Sequence, residues 1–495
     1  MTKQQSYRQI FKATSLFGGV QFISVLTGIV RSKFVAIFLG PVGMGISALL
    51  VSTVTLVIII ASMGLNFSAV RDISKARESG DTKKLSFILI VFKRWLWISC
   101  FVGVILLISF SHYLSIFTFG NNSYTVSFVL LSLMLIFTIL TNGNTALLQG
   151  LRKIEYTAKS AIIGSLLALI TTIPIYYFLR SSGIVPALII GSIITFLISV
   201  FFANKIVLTP VLVSRKDTLT QGGEMAKLGV VMVMAQLIGL VAIYVINTFI
   251  RSKGGLADVG LYQAGTSITN QSIGLVFTAM AMDYYPRLAA VSTNDKKLND
   301  MVNQQGIITV LIAAPMLISL IVFAPLVIKI LLTSEFYAIS FFIRWLALGT
   351  LFTAPIVVLS YISLAKGDKK AYFLYSSLFN SVLSIAFYIA GYLAYGLMGM
   401  AIAFSLFQLI YLLFLSYKFN KIYAFSFNIQ FVKIFLTLIA FCMSALIVSF
   451  MFDEVTVYIL GGVILVFSVY YSWYKLDSYI GLKSYVREKF LKSKY

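Results

Sequence analysis

The sequence is short of acid. Its 495 residues carry 16 Asp+Glu against 39 Lys+Arg, and only one histidine, two cysteines and eight prolines. One histidine leaves nothing to build a histidine-ligated metal centre or a relay of catalytic bases, and His112 sits alone in a connection, where a solvated side chain is expected. Cys100 and Cys442 lie far apart within apolar runs, so neither a disulfide framework nor a cysteine metal site is indicated. There is no glycine-rich phosphate loop and no nucleophile elbow. No cofactor is expected, and nothing in the chain reads as an enzyme.

Charge of either sign is also scarce, at 11% of residues, while 59% are hydrophobic. A soluble fold carries about a quarter of its residues charged, so the chain reads as an all-α polytopic membrane protein. In a soluble protein the net charge of +23 would suggest a nucleic-acid partner. Here most of the basic residues fall in short loops between apolar runs, where they set topology, and no nucleic acid is expected. The basic start MTKQQSYRQIFK leads into a run of full crossing length without a small-residue cleavage site, which reads as a retained first helix.

At about 20 apolar residues per crossing, the pattern predicts fourteen transmembrane helices. They fall near 14–39, 44–66, 85–109, 124–148, 157–179, 184–203, 228–250, 258–284, 303–330, 340–364, 371–393, 396–417, 430–451 and 455–474. Basic residues alternate between the two sets of loops. One set holds clusters such as Arg71 to Lys84, Arg152 to Lys159 and Lys366 to Lys370, together with the tail from Lys475 to Lys494; the other holds little beyond Arg180, Arg251, Lys253 and Lys329. The alternation predicts that both termini are cytoplasmic. Similar patterns before and after the connector 204–227 predict two six-helix lobes, 1–220 (spans 1–6) and 221–425 (spans 7–12), with a C-terminal helix pair and cytoplasmic tail at 426–495. Tandem lobes are a common transporter plan, with the substrate between them.

Charges inside the spans mark candidate sites, because a charge at hydrocarbon depth is costly and normally faces a protein interior or a water-filled cavity. The stretch TGIVRSKFVAIFLGPVGMG (27–45) holds Arg31 and Lys33. Ser24, Thr27 and Arg31 share one helix face by their spacing of three and four, whereas Lys33 points elsewhere and can snorkel. Lys93 and Arg94 lie near the cytoplasmic end of span 3, where snorkelling is the simpler reading. Arg251 follows Tyr244, Asn247 and Thr248 as an exterior anchor or a gate group, and Arg344 stands beside Trp345 early in span 10. Neutral polar stripes add Asn142, with Thr138, Thr145 and Gln149, and Asn270, with Gln263, Ser267 and Gly274; a third runs through Asn380, Ser384 and Tyr388. Such stripes suit sugar hydroxyls, or ordinary contacts between helices worth about 0.6 kcal/mol each. No Asp or Glu falls near the middle of a span, so the expected cavity is net positive and favours an anion. Arg matches phosphate with two parallel hydrogen bonds.

Several strings together carry a family resemblance. RSKFVAIFLGPVGMGI (31–46), SMGLNFSAVRDI (62–73), ALLQGLRKI (146–154), VGLYQAG (259–265), MDYYPRLA (282–289), LLTSEF (331–336) and YISLAKGD (361–368) resemble the Wzx flippases of the multidrug/oligosaccharidyl-lipid/polysaccharide exporter superfamily. The resemblance implies two six-helix lobes around a V-shaped cavity and alternating access. It implies export of an undecaprenyl-pyrophosphate-linked oligosaccharide, such as an O-antigen unit, from the cytoplasmic to the periplasmic leaflet of a bacterial inner membrane. It makes Arg31 and Lys33 the basic pair of the first helix. Its implied partners are the lipid-linked oligosaccharide, membrane lipids, a polysaccharide polymerase and a chain-length regulator, with the chain itself a monomer. Two alternatives stay open: a cation-coupled drug antiporter, which calls for an acidic cavity group, and a glycan polymerase or ligase, which calls for a large exterior loop.

Overall fold

A computed structural model describes the backbone of residues 3–206 and 211–480; residues within the connector at 207–210 and the tail beyond 480 lie outside the described residues. Every element is helical among the described residues. The helices are α1 (Lys3–Ser62), α2 (Leu65–Glu78), α3 (Thr82–Ser109), α4 (Ser111–Phe119), α5 (Thr125–Gly150), α6 (Ile154–Leu179) and α7 (Ile184–Ala203). They continue as α8 (Arg215–Ala290), α9 (Asp295–Leu331), α10 (Ser340–Ala365), the short α11 (Lys369–Ala371), α12 (Asn380–Tyr423), α13 (Ile429–Met451) and α14 (Glu454–Ile480).

Sixty residues of α1 would reach about 90 Å at 1.5 Å per residue, three times a hydrocarbon core, so α1 holds two crossings. Its helical geometry breaks at Gly40, which takes a left-handed φ of 62° just before Pro41. The 76 residues of α8 break in the same way at Gly255, and α12 breaks at Tyr395–Gly396. Ten stretches are long and apolar enough to cross a membrane, and four of them are double length: Phe22–Ser62, Ile154–Ala203, Arg215–Thr278 and Lys369–Tyr423. The described residues therefore hold the fourteen crossings.

The breaks recur with a pattern. Crossings 1 and 2 meet at Gly40, and crossings 5 and 6 at the four-residue 3-10 turn Arg180–Gly183. Crossings 7 and 8 meet at Gly255, and crossings 11 and 12 at Tyr395–Gly396. Between them, the 3–4 connection contains α4 and the 9–10 connection contains a 3-10 helix, Ser334–Ile339. The centre of the 3–4 connection is helix α4.

The scarce acids are used at helix ends. Asp81 accepts the Lys83 and Lys84 amides at 2.9 and 3.0 Å, and Asp368 accepts the Ala371 amide at 2.9 Å. A side-chain acceptor there satisfies amide groups that have no carbonyl four residues back. Other acids pair with bases at the same level: Glu78 with Arg152, Asp295 with Lys366 and Asp283 with Arg287.

The chain divides into two compact units, residues 1–263 and 264–495. In the first, α6 packs on α7 and α1, and α5 packs on α3, α7 and α2. In the second, α9 packs on α10, α13 and α14, and α10 on α12.

Candidate functional site

The first unit holds a pocket of about 360 Å³ between α1, α5, α6 and α7, in which hydroxyl side chains and an arginine stand among apolar residues. From α1 it receives Ser24, Thr27, Gly28 and Arg31. These residues recur at three and four, so one helix face supplies them all. Thr138 and Thr141 come from α5, Ser165 and Thr172 from α6, and Ser192 and Thr195 from α7, with small residues such as Ala187 and Gly191 leaving the space open. Among the described residues Arg31 is the one charged residue of the lining, and no carboxylate joins it. It precedes the Gly40 break by nine residues, or about 13 Å of helix, which puts it near half the depth of a hydrocarbon core. Among the described residues no carboxylate or carbonyl holds its guanidinium. A guanidinium open to such a lining has N–H groups free to donate to an acceptor in the cavity.

The other predicted residues are placed apart from this pocket. Lys33 is half-buried on another face of α1 and does not line it. Lys93 is exposed on α3. Arg94, its neighbour, donates from Nη1 to the Val213 carbonyl at 2.9 Å and to Thr218 Oγ1 at 2.7 Å. With Trp95 Nε1 donating to the Thr218 carbonyl at 2.7 Å, this ties α3 to the start of α8. Asn142 is exposed on α5; the pocket takes Thr138 and Thr141 from that helix instead. Asn270 is exposed on the second half of α8, and next to it Gln271 donates to Ser267 Oγ at 2.6 Å.

Arg251 and Arg344 hold backbone carbonyls. Arg251 donates from Nε to the Thr118 carbonyl at 2.8 Å and from Nη2 to the Phe117 carbonyl at 2.9 Å. Both carbonyls belong to the last turn of α4, where no further amide follows and the helix end is partly negative. Thr118 Oγ1 pairs with the Tyr244 hydroxyl at 2.7 Å, so crossing 7 grips α4 at two points. In the second unit, Arg344 reaches the carbonyls of Ile321 in α9 and Ser449 in α13.

The sequence reading missed the hydroxyls of α6 and α7. Their one signal was spacing: Ser165 and Thr172 are seven apart, and Ser192 and Thr195 three apart, each pair on one face of an apolar helix.

The architecture defines a polytopic all-helical membrane protein, and the pocket between four of its helices carries an arginine. Residues 34–341 match the family described as polysaccharide biosynthesis protein, and the chain belongs to that family. A Shigella flexneri protein named "Putative O-antigen transporter" is 26% identical over 405 residues, covering 79% of this chain and 93% of its own. Among solved structures, the lipid II flippase MurJ in an inward closed conformation is similar with a TM-score of 0.72 at 18% identity, covering 94% of this chain and 99% of that one. An inward-facing multidrug resistance MATE family transporter of the MOP superfamily is similar with a TM-score of 0.66 at 16% identity, covering 80% and 95%. The fold is thus one shared by flippases and transporters, and none of these relatives is named as a catalyst.

Proposed function

We propose that the chain is a flippase that moves an undecaprenyl-pyrophosphate-linked oligosaccharide, an O-antigen or similar repeat unit, from the cytoplasmic to the periplasmic leaflet of a bacterial inner membrane. The observation that carries this reading is Arg31 in a carboxylate-free, hydroxyl-lined pocket at mid-depth of the first unit. An anionic pyrophosphate gains charge-assisted hydrogen bonds from such a guanidinium, and a cation is repelled by it. Membership of a polysaccharide biosynthesis family and likeness to an O-antigen transporter support the same substrate class.

In this reading the polyprenyl chain stays in lipid while the headgroup enters the bundle. The two six-helix lobes then exchange inward and outward access, with both termini cytoplasmic. Such an exchange is driven only if the ligand, or a coupled ion or potential, binds the two states differently.

Wild-type protein in proteoliposomes, offered a fluorescent polyprenyl-pyrophosphate-oligosaccharide on one leaflet, tests the reading. Delivery of the label to the opposite leaflet, faster than in protein-free vesicles, is the expected result. Transport of a fluorescent organic cation in its place would instead make the chain a drug exporter.

A further inference from the structure

The pocket hydroxyls are not equivalent to the guanidinium beside them, because most have already spent their protons. Thr27 donates to the Ile23 carbonyl at 2.8 Å, Thr141 to Phe137 at 2.7 Å and Ser165 to Ile162 at 3.0 Å. Thr172 donates to Leu169 at 3.2 Å, Ser192 to Ile189 at 2.7 Å and Thr195 to Gly191 and Ser192 at 3.1 and 2.9 Å. Each of these six hydroxyls donates to a carbonyl three or four residues back on its own helix. A hydroxyl has one proton and two lone pairs, so a side chain that donates to its own helix presents an acceptor to the cavity. The remaining two, Ser24 and Thr138, make no hydrogen bond among the described residues.

The pocket is therefore divided in chemistry. Arg31 is a donor in all its N–H groups and suits phosphate oxygens, which only accept. The six spent hydroxyls suit the opposite partner, a ligand group rich in O–H or N–H. Phosphate gains nothing from them unless helix bonds break first. At about 360 Å³ the space is at the small end of ligand sites, enough for a small polar group and not for a whole oligosaccharide.

We propose that the hydroxyl lining on α5, α6 and α7 is the specificity-determining surface for a sugar, reading its hydroxyl and amide protons, while Arg31 alone bears the anionic group. This rests on the flippase reading above and assigns separate parts of the substrate to separate sides of one pocket. Thr141 and Thr195, on α5 and α7, are the residues through which it is most directly read. The consequence is selectivity: the protein favours a lipid pyrophosphate that bears a sugar over one that bears none, and the preference comes from acceptors on the protein.

The test uses two probes in proteoliposomes, a labelled polyprenyl pyrophosphate bearing one N-acetylhexosamine and the same lipid with no sugar. The readout is the ratio of their transport rates, which a loss of folded protein leaves unchanged because it lowers both. Thr141→Val and Thr195→Val keep the side-chain shape and remove one acceptor each. Each is expected to lower the ratio about fivefold, the factor that corresponds to about 1 kcal/mol for a hydrogen bond, and Arg31→Ala to lower both rates while keeping the ratio. An unchanged ratio in both valine variants, with the wild type transporting the sugar probe, would overturn the assignment and leave the flippase reading intact. Failure of the wild type to transport either probe would overturn the flippase reading and this assignment with it.

Discussion

Arg344 donates from Nε to the carbonyl of Ile321 at 3.2 Å. In an uninterrupted helix the amide four residues on would take that carbonyl, but that residue is Pro325, which has no N–H. The backbone of α9 leaves helical geometry between them, at Phe323 (φ −97°, ψ 16°). The same guanidinium donates from Nη1 to the Ser449 carbonyl at 2.9 Å, in the last turn of α13. One arginine thus satisfies two orphan carbonyls on two helices.

This pairing predicts a coupling. Arg344→Ala leaves both carbonyls unpaired and should lower stability by about 2 kcal/mol. Pro325→Ala restores an amide to Ile321 and should cut that loss by about 1 kcal/mol in a double-mutant cycle. Thermal unfolding in detergent of the four proteins supplies the numbers. Strict additivity would show that the proline is not what frees the carbonyl.

How such arginines escape the sequence is instructive. Arg31, Arg251 and Arg344 look alike as single charges in or beside apolar runs, and the cost of a charge in hydrocarbon flags all three equally. What separates them is their partners. Arg251 and Arg344 meet main-chain carbonyls, freed by the end of α4 and by Pro325, and main-chain acceptors have no letter in the sequence. Arg31 was legible as a pocket residue because Ser24 and Thr27 fall on its own helix face. The fourteen crossings were legible too, since length and hydropathy decide them, and the glycines at 40, 255 and 396 mark three of the sharp joints. The hydroxyls of α6 and α7 were not, because a serine bonded to its own helix is written the same way whether it faces a cavity or a neighbour.

Arg251 predicts a local effect. Its two bonds close the last turn of α4, so Arg251→Gln should loosen that helix while the rest of the first unit holds. Hydrogen exchange over 111–119 is expected to speed up about tenfold, the factor for about 1.4 kcal/mol of lost protection. Exchange unchanged there would mean that the Thr118–Tyr244 pair holds α4 unaided.

The joint of crossings 11 and 12 predicts a steric limit. A Cβ placed on Gly399 would lie 2.1 Å from the Gly391 carbonyl oxygen, and one on Gly391 2.5 Å from that of Gly399. Backbone stands against backbone there, with no flexible side chain to yield. Gly399→Val should therefore abolish folding or cost several kcal/mol, of the order seen for overpacking or more. Gly239→Ala is the control: nothing lies within 4 Å of a Cβ at Gly239, in the interior of α8, and up to about 1 kcal/mol of stability is expected. Yields of monodisperse protein and melting temperatures separate the two.

Asp368 predicts a dependence on pH. Bonds from the Ala371 amide and the Tyr423 hydroxyl, at 2.9 and 2.8 Å, hold its carboxyl below the usual carboxylate value. A carboxyl depressed in the folded protein adds stability above its unfolded pKa of about 3.9, and that contribution is lost as pH falls through the lower folded value. Melting between pH 6 and pH 3 should thus fall more steeply in the wild type than in Asp368→Asn. Equal slopes would show that the turn contributes nothing to the acid transition.

Whether Arg31 bears the anionic headgroup is decided by a single comparison. Wild type and Arg31→Ala, matched for insertion and folding, are reconstituted and timed on a fluorescent lipid-pyrophosphate-oligosaccharide. The alanine variant should lose at least about tenfold in transport, the least expected when a charge-assisted bond is removed, with Arg31→Lys between the two. Transport by Arg31→Ala at the wild-type rate would contradict that role.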